Sequence, residues 1–239
     1  MLSYIVNNPT QLIFPFQLNQ RATFKSFFWS PDNIDLKNRL DDLVNGDDFS
    51  ELIIHGKNGS GKSFLMQAIC NEFSSRKTKF AFMPMKKAIK MGHELFQNLS
   101  SLDAVCIDDI QLLLSNADWE RAMFNLINEC QQFNCSLIFA LGGDKSLDET
   151  IKLPDLVSRI KRMEFMTLKK IEDELHYKAL DFVSRQLEIN LKKAELEYLL
   201  NHQVREFSIL VENLIALDKQ AGILKRKITI PLIKETLSI

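Results

Sequence analysis

A strand-like Leu52-Ile53-Ile54-His55 runs directly into Gly56-Lys57-Asn58-Gly59-Ser60-Gly61-Lys62-Ser63, and that run opens a helix-like Phe64-Leu65-Met66-Gln67-Ala68-Ile69-Cys70. Strand, glycine-rich loop and helix in this order are the setting of a phosphate-binding loop. Gly56, Gly59 and Gly61 let the backbone curl around Ser60, so that successive N–H groups point inward at phosphate oxygens. The helix that follows presents its positive end to the same charge. Lys62 is then placed to reach the terminal phosphates and Ser63 to hold magnesium. An ordinary glycine-rich turn is the competing reading, and it leaves the flanking strand and helix unexplained.

The rest of the chain is organised around this unit. Strand candidates recur at Leu52–Gly56, Lys79–Met85, Ala104–Ile110, Ser136–Gly142 and Met163–Leu168. Helical spacing fills the intervals Lys62–Ser75, Lys86–Leu99 and Ala117–Phe133, for instance at Trp119, Met123, Leu126, Ile127 and Cys130. Alternation of this kind predicts an α/β fold, a parallel five-stranded sheet flanked by helices. After Leu168 the strands stop. Ile171–Leu187, Lys193–His202 and Arg205–Ala221 read as three consecutive amphipathic helices, followed by a short extended piece and a helical turn from Leu232. This is a small helical lid.

Composition narrows the class. The chain has 239 residues, 46% of them hydrophobic, enough for one substantial α/β core and a smaller appended unit. Thirty basic against 31 acidic residues give a formal net charge of -1, so no global field marks nucleic acid or membrane as the main partner. No apolar run reaches membrane-spanning length and the first basic residue is Arg21, which predicts a cytoplasmic protein. Cys70, Cys106, Cys130 and Cys135 have apolar neighbours and no CxxC spacing, so they read as reduced core thiols. The four histidines show no ligand spacing.

A second nucleotide signal is Ala104-Val105-Cys106-Ile107-Asp108-Asp109, an apolar strand ending in two carboxylates at the sheet edge from which the phosphate loop emerges. Turning into the following loop can bring Asp108 to the magnesium shell and Asp109 to the attacking water. The alternative is that one of them caps the next turn.

Taken together, the phosphate loop, Ile107-Asp108-Asp109-Ile110-Gln111, Leu153-Pro154-Asp155-Leu156-Val157-Ser158-Arg159 and the helical lid resemble the AAA+ ATPase module of the bacterial initiator DnaA, from about Ala22 onward. The chain stops soon after the lid, where DnaA-family initiators continue into a DNA-reading helix-turn-helix domain. Its N-terminal Gln11-Leu12-Ile13-Phe14-Pro15-Phe16 is similar to the short peptide with which bacterial proteins dock on the DNA polymerase sliding clamp. That peptide sits where the Hda family carries it. Pro15 holds the tail extended, Gln11 offers an amide to a polar notch, and Leu12, Phe14 and Phe16 supply apolar anchors. Phe14 and Phe16 stand where leucines are more usual, and a competing reading packs the segment on its own core.

The resemblance implies an extended tail over 1–20, a nucleotide-binding core over 21–168 and a lid over 169–239. It implies ADP or ATP with Mg2+ as cofactors. It further implies a negative regulator of replication initiation that rides on the DNA-loaded clamp and makes DnaA hydrolyse its bound ATP. DnaA and the clamp are then the partners, and DNA is contacted mainly through the clamp. Whether the chain works alone or as a homodimer stays open. Arg159 matches the arginine that an AAA+ subunit inserts into its neighbour's nucleotide site, with Pro154 starting the helix that presents it and Lys161 and Arg162 as rivals. Arg205 matches the lid arginine that senses nucleotide in cis, or else pairs with Glu206. Asp144, after Gly142-Gly143, falls where a polar sensor belongs, or forms an ordinary turn. Phe24 and Phe27, in the segment leading to the pocket, read as core. The alternative is an ATPase in its own right, such as a DnaC-like helicase loader or a transposition-type partner, and a further reading is an initiator paralogue that blocks the DnaA filament.

Overall fold

Five strands, β1 (Glu51–Gly56), β2 (Phe80–Pro84), β3 (Ala104–Asp108), β4 (Ser136–Gly142) and β5 (Glu164–Thr167), form one parallel sheet in the order β2-β3-β4-β1-β5. The structure is a computed structural model and describes residues 16–46, 48–143, 150–204 and 206–238. Parallel strands need crossovers, and α1 (Ile34–Asn45), α2 (Lys62–Ser75), α3 (Met85–Ala88), α4 (Ala117–Phe133) and α5 (Pro154–Ile160) supply the helical layers. Because both sheet faces are covered, β1 to β4 are apolar on both sides rather than amphipathic. Ile53, Met83, Val105, Ile107, Leu137 and Phe139 pack with Trp119, Met123, Leu126 and Ile127 of α4. Their neighbours Leu52, Ile54, Phe82, Cys106 and Ile138 pack with Leu36 and Leu40 of α1 and with Leu65, Met66 and Ile69 of α2. All four cysteines are buried and free.

The strands fall within a residue or two of their expected places, and α2 and α4 match theirs end for end. The α4 start has a clear cause, since the Asn116 side chain accepts from the Asp118 and Trp119 amides at 3.1 and 3.3 Å. Helix α1 carries Leu36, Leu40, Leu43 and Val44 on one buried face. It lies ahead of the stretch in which the alternation is read. The expected helix over Lys86–Leu99 is instead the four-residue α3 followed by three short 3-10 turns, Ile89–Met91, His93–Phe96 and Leu99–Ser101. Gly92 at φ 94 and Asn98 at φ 63 interrupt any longer helix, because left-handed backbone ends the hydrogen-bond ladder.

The lid has its own core. Leu180, Leu196, Leu199, Leu210, Leu214, Leu217, Leu232 and Ile233 join α6 (His176–Gln186), α7 (Lys193–His202), α8 (Phe207–Leu224) and α9 (Ile230–Leu237). The expected closing turn is thus a full helix that begins two residues early, with Pro231 in its first turn. The lid meets the sheet domain through a buried Asn33, which accepts from the Lys169 amide at 2.9 Å and donates to the Lys169 carbonyl at 3.0 Å. Phe28 and Phe182 meet across the same junction with ring centroids 5.7 Å apart.

Phe24 is buried in the α1–α2 core as expected, and Phe27 packs partly buried beside it. Phe16, expected to face a partner, is 9% exposed and belongs to the α4-side core. Its ring gains more from that contact than from water, so in this conformation it is not displayed as an anchor. Gln11, Leu12, Phe14 and Pro15 lie outside the described residues. Among the described residues, no helix is long and apolar enough to cross a membrane.

Candidate functional site

The phosphate loop leaves the carboxyl end of β1, and its glycines are there for stated reasons. Gly59 and Gly61 have φ of +77° and +99°, and a side chain on Gly61 would meet the Phe27 ring at 3.0 Å. At Gly59 a side chain would run into the carboxylate of Glu206, the residue before α8. Gly56 has no room either, since a side chain there would meet the Leu168 carbonyl oxygen at 2.5 Å and the Ser60 hydroxyl at 2.9 Å. The curl closes with the Ser60 amide donating to the Lys57 carbonyl at 3.2 Å.

Lys62 is 6% exposed and folds back on this loop, donating to the Gly56 and Lys57 carbonyls at 2.7 and 2.9 Å. Burial lowers its pKa, against the pull of Asp109 and Asp108, so its ammonium sits in a site that anionic phosphate would stabilise. The Ser63 hydroxyl bonds to Asp108. Asp108 is 3% exposed, and burial raises its pKa despite that hydrogen bond. Its Oδ1 and the Ser60 hydroxyl are both buried without a hydrogen-bond partner in the protein. A hydroxyl and a carboxylate side by side, one carboxylate oxygen left unpaired, are the hard oxygen donors that Mg2+ takes from protein when phosphates supply the rest. The donor set therefore fits a magnesium nucleotide.

Asp109 follows β3 in the left-handed region at φ 60, a conformation Asp tolerates, and this turns it away from the strand direction. Its two oxygens are held apart, Oδ1 by the Gln111 amide at 2.7 Å and Oδ2 by the Lys86 ammonium at 3.1 Å. Gln111 also accepts from the Gly142 amide at 2.8 Å. Because β4 stands between β1 and β3 in the sheet, the end of β4 lies between phosphate loop and carboxylates. His55 reinforces it, with Nε2 3.0 Å from the Gly143 carbonyl. Asp144 lies beyond this point, outside the described residues. So does Arg205, although its neighbour Glu206 approaches Gly59, bonds to the Ser208 hydroxyl at 3.2 Å and lies 3.9 Å from the Lys170 ammonium.

Arg159 is elsewhere. It is half-buried in the last turn of α5 and donates to the Gln131 side chain at 3.1 Å, and Gln131 donates to Glu51 at 2.9 Å. Glu51 is the first residue of β1 and Gly56 the last, so Arg159 lies at the sheet edge opposite its own phosphate loop. Along the strand this separation is roughly 17 Å at about 3.3 Å per residue. Lys86, Gln111 and Gln131 were not singled out by sequence, and adjacency to Asp109 in the Asp109-Ile110-Gln111 run was the one cue available for Gln111.

The family model for the bacterial DnaA ATPase domain matches residues 18–165, and the Hda lid domain model matches residues 173–237. The chain is a DnaA-related AAA+ protein of the Hda family. Similar folds fit this membership. Domain III of DnaA from Thermotoga maritima is 18% identical, with 93% of this chain and 98% of that chain covered at a TM-score of 0.77. AMPPCP-bound DnaA from Aquifex aeolicus is 21% identical, with 87% and 68% covered at 0.66. The RuvB Holliday junction branch migration motor of Thermotoga maritima is 15% identical, with 91% and 72% covered at 0.64. The Hda-family chain thus has an AAA+ core with the donors for the phosphates and magnesium of a nucleotide at one end of the sheet and its candidate arginine at the other.

Proposed function

We propose that this Hda-family protein is a negative regulator of replication initiation that binds ADP or ATP with Mg2+, docks on the DNA-loaded sliding clamp and stimulates hydrolysis of the ATP held by DnaA. The observation that carries this reading is the position of Arg159 at the edge opposite its own phosphate loop. A guanidinium there serves a nucleotide on an adjoining subunit, where it meets the charge that builds on the transferring phosphoryl group. With a nucleotide of its own, Lys62 would contact the phosphates, Ser63 and Asp108 would hold Mg2+, and Asp109, positioned by Lys86 and Gln111, would orient water. When bound, Mg2+ neutralises charge on the phosphate oxygens. Gly59, Ser60 and Gly61 wrap the phosphates, and Asp144 and Arg205 report their state to β4 and the lid.

The deciding experiment follows ATP prebound to DnaA, with this protein, ADP and DNA-loaded clamp present and each omitted in turn. Loss of initiator-bound ATP only with all components supports the proposal. No acceleration, with ATP turnover by this protein alone, favours the independent ATPase, for which the complete Lys62, Ser63, Asp108 and Asp109 set speaks.

Clamp docking is assigned to Gln11, Leu12, Phe14 and Pro15, with Phe16 tethering the peptide to the core. Gln11→Ala with Leu12→Ala is expected to cost the clamp affinity about tenfold or more at unchanged thermal stability, since such anchors carry most of a small interface. Phe16→Ala is expected to lower stability by about 2–4 kcal/mol, as for loss of a buried ring. Surface-immobilised clamp and thermal melts read the two effects separately, and retained clamp affinity in the double variant removes the tail from docking.

A further inference from the structure

The geometry points to Glu120 as the positioning residue for Arg159, an inference that rests on the reading of Arg159 given above. Glu120 is in the first turn of α4 and is 1% exposed. A buried carboxylate is costly unless its oxygens are satisfied. Here they are met by backbone. Oε1 accepts from the Ser115 amide at 2.8 Å and the Lys152 amide at 3.1 Å, and Oε2 accepts from the Lys152 amide at 3.0 Å and the Leu153 amide at 2.8 Å.

These three amides belong to two separate loops. Ser115 lies on the segment that leaves Asp109, and its hydroxyl donates to the Thr150 carbonyl at 2.8 Å. Lys152 and Leu153 lead directly into α5, whose own start has no side-chain cap because Leu153 occupies that place. Glu120 therefore accepts from α4 the amides of the two residues that precede the first helical one, and it fixes where the chain enters α5. The same α4 fixes where α5 ends, since Gln131 takes the Arg159 guanidinium. Both ends of the arginine-bearing helix are thus referenced to one rigid element. The Ser115 contact ties that reference to the loop that follows the carboxylates of the nucleotide site. Arg159 is displayed at a set height above the sheet edge only while the Glu120 contact stands.

The test compares Glu120→Gln and Glu120→Asp with the native chain and with Arg159→Ala in the stimulated hydrolysis of DnaA-bound ATP, at rising protein concentration. Glu120→Gln keeps the size but turns an amide donor toward backbone donors, and Glu120→Asp keeps the charge but falls one methylene short. At saturation, Glu120→Gln is expected to give ~10–100-fold slower stimulated hydrolysis, the scale of a roughly 1 Å misplacement. Its half-saturating concentration should stay within about twofold, and Glu120→Asp should fall between it and the native chain, with nucleotide affinity unchanged throughout. Amide exchange at Lys152 and Leu153 should quicken while α4 stays protected, a local signature that a general loss of stability does not give. If Arg159→Ala is inactive while both Glu120 variants reach the native rate at saturation, Arg159 stands and the role of Glu120 is overturned. If Arg159→Ala stimulates normally, the parent reading fails and takes this role with it.

Discussion

Arg159→Ala is expected to leave nucleotide binding, clamp binding and thermal stability close to native while stimulated hydrolysis of DnaA-bound ATP falls on the order of a thousandfold or more, the scale on which an arginine supplied in trans acts. The stability expectation follows from the half-buried site, where one hydrogen bond from the guanidinium to the Gln131 side chain is lost, and a bond of this charged kind contributes about 1.5 kcal/mol where solvent reaches it. Single-turnover hydrolysis on preloaded DnaA is the measurement. A normal rate would take Arg159 out of the chemistry and promote Lys161 or Arg162. Arg159→Lys is also expected to fail, because an ammonium cannot reproduce the planar fork that bridges two oxygens.

Asp108→Asn should have opposite effects on binding and on stability. Magnesium-dependent nucleotide affinity is expected to fall by at least ~10–100-fold, the range seen when even outer partners of a metal are lost. The nucleotide-free protein is expected to gain about 1 kcal/mol, because a buried carboxylate oxygen without a partner is replaced by a neutral amide. The pH dependence follows from the raised pKa of Asp108, whose first cause is burial. A carboxyl whose pKa is higher folded than unfolded imposes its full cost above the folded value, and the cost is relieved as pH falls through it. The advantage of Asp108→Asn should therefore shrink on acidification, in the same window where the native chain loses its metal-dependent affinity. Melting curves across pH, with and without Mg2+ and ADP, test both halves, and an apo protein destabilised at neutral pH would argue that Asp108 is a structural acceptor.

What the sequence made legible was what short stretches decide. A phosphate loop is a contiguous run, so Gly56, Gly59, Gly61, Lys62 and Ser63 could be assigned roles before any fold was known. Asp108 and Asp109 followed from an apolar strand ending in carboxylates, and α5 from the proline that opens it. The contacts that hold these groups in place join distant parts of the chain. Lys86 reaches Asp109 from α3, Asn33 reaches Lys169, and Glu120 reaches Lys152 and Leu153. No periodicity marks such pairs, because each partner is an ordinary polar residue on its own element. The expected helix over Lys86–Leu99 failed for a local reason, since a single glycine inside an apolar pattern does not announce that its φ will be positive. For Phe16 the sequence left two readings, because an apolar anchor and a core residue look alike there, and the structure finds it in the core.

The strand order carries a consequence for how the protein is made. β1 lies between β4 and β5, so Leu52, Ile53 and Ile54 acquire their neighbours only when Ile138, Phe139 and Ala140, and then Glu164, Phe165 and Met166, have been synthesised. Until then the nascent chain carries an exposed apolar segment with open backbone groups on both sides, immediately before the loop that will define its ligand site. Closure of long loops must precede every pairing that β1 makes, which slows folding relative to a helical bundle of the same size. A transient unpaired strand of this kind is also where such chains aggregate. Translation rate and chaperone supply, rather than the final stability of the sheet, are therefore expected to govern the yield of folded protein.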